Sequence, residues 1–185
     1  MAARLPAPGH LEVTISPMRR RHLRAVQRIE QQVYPRPWSM GLFMSELGMG
    51  QSRLYVVARV DGAVVGYGGL MLAAGDGHIT TLAVDPAWHR HQVGTRLLLT
   101  LASGAVQRGA EHLTLEVRAS NQAAQELYRA FGFVPAGIRK GYYAETKEDA
   151  IVMWANDIAE AEFAARLDRL AQDLRGTTVH EELDR

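Results

Sequence analysis

The sequence predicts an α/β protein built on a mixed β-sheet with helices on its faces. Three observations support this fold class: strand-like runs that follow each other across a short turn, segments whose apolar residues recur at helical spacing, and strands that alternate with helices in the second half. Antiparallel neighbours followed by β-α-β units produce such a sheet. A chain of 185 residues is long enough for one domain with a full core.

The first half of the chain predicts a strand, two helices and a β-hairpin. Pro35 and Pro37 end the first helix, because proline cannot sit inside one. Ser39 then suits the N-cap of a short second helix. Asp61-Gly62 is a two-residue hairpin signal between two β-like runs. The predicted elements are a strand at 13–15, a helix from residue 18 to about 33, a helix at 40–47, and strands at 54–60 and 63–72.

The second half predicts alternating strands and helices, followed by a tail of different composition. The predicted elements are strands at 78–84 and 113–117, helices at 94–106 and 121–131, and two last strands from 133 and at 150–154. Residues 1–11 look like a flexible arm, 12–157 like the main domain, and 158–185 like an extra helical tail. The tail helix is expected to end at Gly176-Thr177-Thr178, and the last residues are expected to be frayed.

Composition excludes several classes of protein. The formal net charge is +1, so bulk attraction to nucleic acid or to a membrane is not expected. The absence of cysteine excludes disulfides, thiolate metal sites and a cysteine nucleophile. No run is apolar enough to span a bilayer, and the first residues lack the pattern of a signal peptide. The sequence therefore predicts a cytoplasmic protein.

The segment from Asp85 to Thr95 predicts an anion site. It leads from a strand into a helix, whose first N–H groups and positive dipole end favour phosphate, and Arg90 adds a full charge. The signal is weak by itself, and the segment is neither a P-loop nor a dinucleotide fingerprint. His89 and His91 lack the clustered carboxylates of a metal site, so no metal is expected.

Three residues between 113 and 133 stand out by their chemistry. Glu116 lies on an otherwise apolar strand and shares a face with Thr114. On spacing alone it is an exposed charge, Asn121 is the N-cap of the next helix, and Tyr128 is a packed core tyrosine.

A resemblance to a known family changes these interpretations. The run from Glu116 to Asn121, Leu127-Tyr128 and the Phe131-Gly132-Phe133 stretch resemble the GNAT superfamily of acetyltransferases. Pro37-Trp38-Ser39, Tyr142-Tyr143 and residues 148–151 are similar to its bacterial ribosomal-protein-alanine N-acetyltransferase type. The resemblance covers about residues 13–154, so it includes neither the arm nor the tail.

The resemblance implies a site for acetyl-CoA between two parallel strands that splay apart near Val84 and Val117. The pantetheine arm would run along the backbone of the first strand, and the pyrophosphate would sit on the loop before the next helix. The implied cofactor-binding residues are Leu82, Ala83, Val84, Arg90, His91, Gln92, Val93, Gly94, Thr95 and Asn121.

The loop departs from the family pattern at one position. The usual form is Gln or Arg, two residues, Gly, one residue, Gly, and the corresponding residues here are His89, Gln92 and Gly94. Glutamine has a Cβ and disfavours positive φ. If this position needs positive φ, the substitution should weaken cofactor binding.

The resemblance also implies roles in catalysis. Glu116 corresponds to the general base and Tyr128 to the general acid toward the CoA sulfur, while Trp38, Tyr142 and Tyr143 would line the substrate cleft. The implied acceptor is the N-terminal amine of a protein, by similarity a ribosomal protein that begins with alanine. Two alternatives remain: acetylation of a small amine, and an acetyl-CoA-binding regulatory module. The protein is expected to be a monomer, or a weak homo-oligomer through its tail.

Overall fold

The computed structural model describes residues 11–181, which contain eight strands and five α-helices. The strands are β1 (Glu12–Pro17), β2 (Arg53–Val60), β3 (Ala63–Ala73), β4 (Asp76–Val84), β5 (His112–Arg118), β6 (Val134–Tyr143), β7 (Glu148–Ala155) and β8 (Thr177–His180). The helices are α1 (Leu23–Val33), α2 (Met40–Leu47), α3 (Val93–Gln107), α4 (Gln122–Ala130) and α5 (Ala161–Gln172). None of the helices within this range combines the length and apolar character that a membrane crossing requires.

All of the strands belong to one sheet, in the order β6-β7-β5-β4-β3-β2-β1-β8. The pairs β4–β5 and β1–β8 are parallel, and every other neighbouring pair is antiparallel. The predicted mixed sheet is therefore confirmed.

The two central parallel strands separate soon after they begin. β4 and β5 pair only from Asp76 with His112 to His78 with Thr114. Beyond these residues β4 continues to Val84 and β5 to Arg118, with no described strand between them. The result is a wedge-shaped gap that opens toward the carboxyl ends of both strands, which is the splay that the resemblance implies.

Each face of the sheet carries its own core. Leu97, Leu101 and Phe131 are fully buried on the face that carries α3, α4 and α5. Ile29 and Phe43 are fully buried on the opposite face, beneath α1 and α2. Burying one such side chain stabilises the fold by about 1.5–3 kcal/mol, so the two cores hold the central gap from both sides.

Local signals placed most element boundaries correctly. Helix α2 spans the predicted residues, and the Ser39 hydroxyl accepts a hydrogen bond from the Leu42 N–H at 3.1 Å. The prediction that the first helix begins at Met18 was wrong, because a 3-10 turn at Arg20–His22 precedes α1. The N-terminal arm lies outside the described residues, apart from Leu11.

The prediction that the tail helix ends at Gly176-Thr177-Thr178 was wrong, because α5 ends at Gln172. Thr177–His180 instead re-enters the sheet and pairs in parallel with β1, while residues 182–185 lie outside the described residues. Gly176 has φ of +79°, and a Cβ at this position would lie 2.1 Å from the Leu11 carbonyl oxygen, so glycine is required. Phe163 and Leu167 of α5 are buried in the same core as α3, so the tail docks on its own chain.

Candidate active site

Two surface depressions meet at the gap between β4 and β5. One is a cleft of about 560 Å³ between the α1–α2 connection and the β6–β7 turn, which we call the front cleft. The other is a groove of about 510 Å³ formed by the end of β4 and the starts of α3 and α4, which we call the α3 groove. Leu82 and Tyr128 line both depressions. The two depressions therefore adjoin at Leu82 and Tyr128.

Most residues that were implied to bind a cofactor line the α3 groove. They are Leu82, Ala83, Val84, Arg90, Gln92, Val93, Gly94, Thr95 and Asn121. His91 is not among the lining residues. Its ring lies 5.7 Å from the Trp88 ring, and its Nδ1 lies 2.8 Å from the His89 carbonyl oxygen. Nine of the ten implied residues therefore line one groove and His91 does not, while their contact with a cofactor stays a prediction.

The loop before α3 adopts an unusual backbone conformation. Arg90 has φ of +66° and Gln92 has φ of +57°, both in the left-handed region. The Gln92 position does require the positive φ that glycine adopts freely, and a side chain there costs about 1–2 kcal/mol. The first N–H groups of α3 have no partners within the helix and are available to an anion in the groove.

Asn121 ends the loop that precedes α4. Its side-chain oxygen accepts a hydrogen bond from the Ala124 N–H at 3.1 Å, so the N-cap interpretation is confirmed. The residue also lines the α3 groove, and a cofactor contact there stays a prediction.

Glu116 lies in the front cleft with two basic partners. Its carboxylate oxygens lie 3.1 Å from His78 Nε2 and 3.4 Å from an Arg139 guanidinium nitrogen. The side chain is 13% exposed, so it is not the solvated surface charge that spacing alone indicates. The hydrogen bond from His78 lowers the pKa of Glu116, despite the opposing effect of burial. The carboxylate is consequently ionised at neutral pH.

Tyr128 is buried but keeps an unused hydroxyl group. The residue is 7% exposed, and its ring packs 5.8 Å from the Phe133 ring. Within residues 11–181 the hydroxyl makes no hydrogen bond, and burial raises its pKa above the ordinary value. The phenol is therefore protonated at neutral pH and free to donate into the space shared by the two depressions.

The implied substrate residues surround the mouth of the front cleft. Trp38, Tyr142 and Tyr143 all line it. The Tyr142 and Tyr143 rings lie 5.2 Å apart in an edge-to-face arrangement, and the Arg118 guanidinium stacks 3.8 Å above the Tyr143 ring. Burial raises the pKa of Tyr143 to about 12. The cleft therefore has an aromatic rim with a partly exposed Tyr142.

Sequence reasoning missed His78 and Glu30. His78 pairs with Thr114 across the parallel strands, and Glu116 follows two residues later on the same face, so sheet register brings His78 to Glu116. Glu30 lies one turn after Val26 on the apolar stripe of α1, which was a usable signal. It accepts hydrogen bonds from the Trp38 backbone N–H, at 2.8 Å, and from the Tyr67 hydroxyl. Glu30 therefore fixes the α1–α2 connection, which borders the front cleft.

The other front-cleft carboxylates are already paired. Glu46 lies 2.7 Å from the Arg53 guanidinium, and Glu145 forms an ion pair with Arg118. Among the described residues, no group of three or more His, Asp or Glu side chains is arranged to hold a metal ion. The absence of a metal stays a prediction.

Comparison with known proteins identifies the family. The model of the acetyltransferase (GNAT) family matches residues 23–133. The [ribosomal protein bS18]-alanine N-acetyltransferase of Escherichia coli K12 is 37% identical over 142 residues, which cover 76% of this chain and 95% of the relative. The N-alpha-acetyltransferase RimI of Mycobacterium tuberculosis H37Rv is 35% identical over 147 residues, covering 76% and 90% of the two chains.

A solved structure shows the same architecture. The crystal structure of the ribosomal-protein-S18-alanine N-acetyltransferase from Escherichia coli aligns with a TM-score of 0.71 at 35% identity. The alignment covers 78% of this chain and 94% of the other. The family model ends at residue 133, well before α5 and β8. On the combined agreement of sequence, family model and fold, this chain belongs to the GNAT family and is an N-acetyltransferase.

Proposed function

We propose that this enzyme transfers the acetyl group of acetyl-CoA to the N-terminal amine of a protein, with the N-terminal alanine of ribosomal protein bS18 as its acceptor. One observation carries the proposal. A carboxylate, Glu116, and a free phenol, Tyr128, line one gap between splayed strands, where a front cleft and an α3 groove meet. The relatives named above that act on bS18 supply the identity of the acceptor.

The α3 groove fits the cofactor that the family uses. Its lining includes the edge of β4 at Leu82 to Val84, with which β5 does not pair and along which an amide-bearing arm can add as a strand. The carbonyl oxygens of Leu82 and Val84 contact the Tyr34 hydroxyl and His89 Nε2, at 2.9 and 3.2 Å. It also includes the first turn of α3 and Arg90, which suit a diphosphate. Bound acetyl-CoA supplies the activated thioester.

Glu116 acts as the general base. The acceptor amine is protonated at neutral pH, so a proton must leave before the nitrogen attacks the acetyl carbonyl carbon. The low pKa of Glu116 keeps the carboxylate ionised, so it attracts the ammonium group and accepts its proton directly or through a water. His78 and Arg139 orient the carboxylate from both oxygens.

Tyr128 acts as the general acid. When the carbon–sulfur bond breaks, the departing thiolate needs a proton. The Tyr128 phenol lines the junction of both depressions and has no competing partner among the described residues, so its proton is available there. No covalent acetyl-enzyme is needed, and the chain contains no cysteine to form one.

The front cleft favours a peptide terminus over a small polycation. Its carboxylates at positions 46, 116 and 145 each have a basic partner. The fourth, Glu30, has no basic partner, but it is 2% exposed and burial raises its pKa to about 7, so the cleft offers little uncompensated negative charge to a polyamine. The aromatic rim offers apolar surface on which the first residues of an extended peptide can pack.

The first experiment tests the acceptor. The full chain is incubated with acetyl-CoA and a short peptide beginning Ala-Arg, and acetylation is followed by mass spectrometry. The same peptide with a blocked N-terminus and an internal lysine serves as the control, beside spermidine as a small amine. Acetylation of the free terminus alone supports the proposal. Turnover of spermidine without turnover of any N-terminal peptide overturns it, and acetyl-CoA binding without any turnover indicates a binding module.

The second experiment tests the base. Glu116→Gln keeps the side-chain shape but removes the basic oxygen, so kcat should fall about 100-fold or more. The dissociation constant of acetyl-CoA should stay nearly unchanged, because Glu116 does not line the α3 groove. An unaltered pH–rate profile in this variant would count against Glu116 as the base.

A further inference from the structure

The tail makes direct contact with the loop that forms the α3 groove. The Gln92 side-chain amide donates to the Asp173 carbonyl oxygen at 3.1 Å and accepts the Arg175 backbone N–H at 2.8 Å. Both polar atoms of this side chain are therefore used by residues 173–178, which we call the tail segment. The contact joins positions more than 80 residues apart, 81 for Asp173 and 83 for Arg175.

Arg96 reinforces the same connection from the first turn of α3. Its guanidinium donates to the carbonyl oxygens of His91 and Gln92, at 3.2 and 3.3 Å. It also donates to the Thr178 hydroxyl at 2.9 Å and to the Arg175 carbonyl oxygen. One side chain thus bonds the loop on one side and the tail segment on the other.

Arg96 is buried and forms no ion pair with the residues between 11 and 181. The residue is 1% exposed, and its hydrogen-bond acceptors in the described part of the chain are carbonyl and hydroxyl oxygens rather than carboxylates. A buried cation without an opposite charge is costly. Arg96 does not line the α3 groove, so it acts on that groove through the two loop carbonyl oxygens that it holds.

The tail segment also compensates the unusual residue in the loop. Gln92 holds φ of +57°, a conformation that costs a side-chain-bearing residue free energy. Its hydrogen bonds to Asp173 and Arg175 hold the side chain in place and offset part of that cost. We propose that Gln92 and Arg96 are positioning residues, through which the tail segment holds the loop ready for the diphosphate of acetyl-CoA. This inference rests on the cofactor site of the proposed function.

The hydrogen bonds of Gln92 to the tail segment should order the loop rather than attach the tail to the domain. The tail is already fixed by Phe163 and Leu167 in the core and by the pairing of β8 with β1. Losing the Gln92 hydrogen bonds leaves these contacts intact, so the effect should fall on loop order. Cofactor affinity should respond, while the rate at saturating acetyl-CoA should not.

The test compares four full-length proteins by calorimetric titration with acetyl-CoA. They are the wild type, Gln92→Ala, Gln92→Gly and the control Gln172→Ala, whose side chain is exposed and makes no hydrogen bond within residues 11–181. Gln92→Ala should bind acetyl-CoA about tenfold more weakly, and the control should match the wild type. Gln92→Gly also loses the tail contacts but is free of the backbone strain, so it should bind more tightly than Gln92→Ala. In steady-state assays the KM for acetyl-CoA should rise while kcat stays within about twofold.

The alanine variant isolates the tail contacts, because it keeps a Cβ at the positive φ and loses only the hydrogen bonds to Asp173 and Arg175. Binding of acetyl-CoA to Gln92→Ala as tight as that of the wild type would overturn the inference. Hydrogen exchange gives a second measurement. Bound acetyl-CoA should slow exchange in the wild-type tail segment but not in that of Gln92→Ala, and equal slowing in both proteins would also overturn it.

Failure of the cofactor site itself gives a different result. If the wild type binds no acetyl-CoA, both the proposed function and this inference are wrong. If the wild type binds and all variants bind equally, only the role of the tail segment is wrong. Gly176→Ala provides a further variant, since the Cβ would disturb tail docking without touching the loop and should also weaken binding.

Discussion

Replacing Glu30 with glutamine should remove a pH dependence of the free energy of unfolding that originates in the core beneath α1 and α2. Glu30 is 2% exposed and accepts hydrogen bonds from the Trp38 N–H and the Tyr67 hydroxyl. Burial raises the pKa of its carboxyl group from 4.5 to about 7. Between those two values the folded protein holds a proton that the unfolded chain has released, so the free energy of unfolding falls as the pH rises through this range.

The size of this effect follows from the separation of the two pKa values. A difference of one between the two pKa values corresponds to about 1.4 kcal/mol. The rise of the Glu30 pKa from 4.5 to about 7 therefore lowers the free energy of unfolding by about 3 kcal/mol at a pH where Glu30 is ionised in both the folded and the unfolded protein. Glu30→Gln is neutral at every pH and keeps an oxygen for the Trp38 N–H. The variant should therefore match the wild type near pH 5 and exceed it by up to about 3 kcal/mol near pH 8.

Urea unfolding followed by tryptophan fluorescence at several pH values measures the difference. Burial lowers the pKa of His22 and His180, and these groups contribute stability that rises with pH. Both proteins share this contribution. The difference between their free energies of unfolding at each pH therefore isolates the contribution of Glu30. A difference in unfolding free energy that stays constant between about pH 5 and 8 would refute the argument.

Three further predictions concern the site and its supports. Tyr128→Phe should lower kcat about 100-fold, because it removes the proton donor. It should change the free energy of unfolding by less than about 1 kcal/mol, because the Tyr128 hydroxyl has no described partner. Steady-state kinetics and urea unfolding measure the two effects. His78→Leu removes the hydrogen bond to Glu116, so the pKa of Glu116 should return toward its ordinary value and the acidic limb of the kcat/KM profile should move to higher pH; an unmoved limb would contradict the pairing. Ser39→Ala removes the cap of α2 and should cost about 1 kcal/mol in urea unfolding, with Ser103→Ala on α3 as the comparison.

Much of the fold was predictable because its signals are local. The hairpin at Asp61-Gly62 and the cap at Ser39 are short-range features, and the structure has both where the sequence indicated. Strand β8 has no comparable signal. It has four residues, and its partner β1 lies more than 160 positions earlier, so no local pattern could name that pairing.

The candidate site divides in the same way. The resemblance supplied the interpretation of Glu116 and Tyr128, whose own spacing indicated a surface charge and a core residue. Sheet register added His78, since it places a residue of β4 beside one of β5. The importance of Gln92 depends on a partner at Asp173, which only the folded tail brings near.

The pairing of β1 with β8 also sets an order of events during synthesis on the ribosome. Every other strand is complete in the nascent chain before Thr177–His180 is made. Until then the outer edge of β1 has unpaired backbone groups, which can recruit strands of other chains. Docking of the last strand closes a loop of very high contact order, so it should be a late step of folding. Chains released before residue 177 would carry an open sheet edge and should be prone to aggregation.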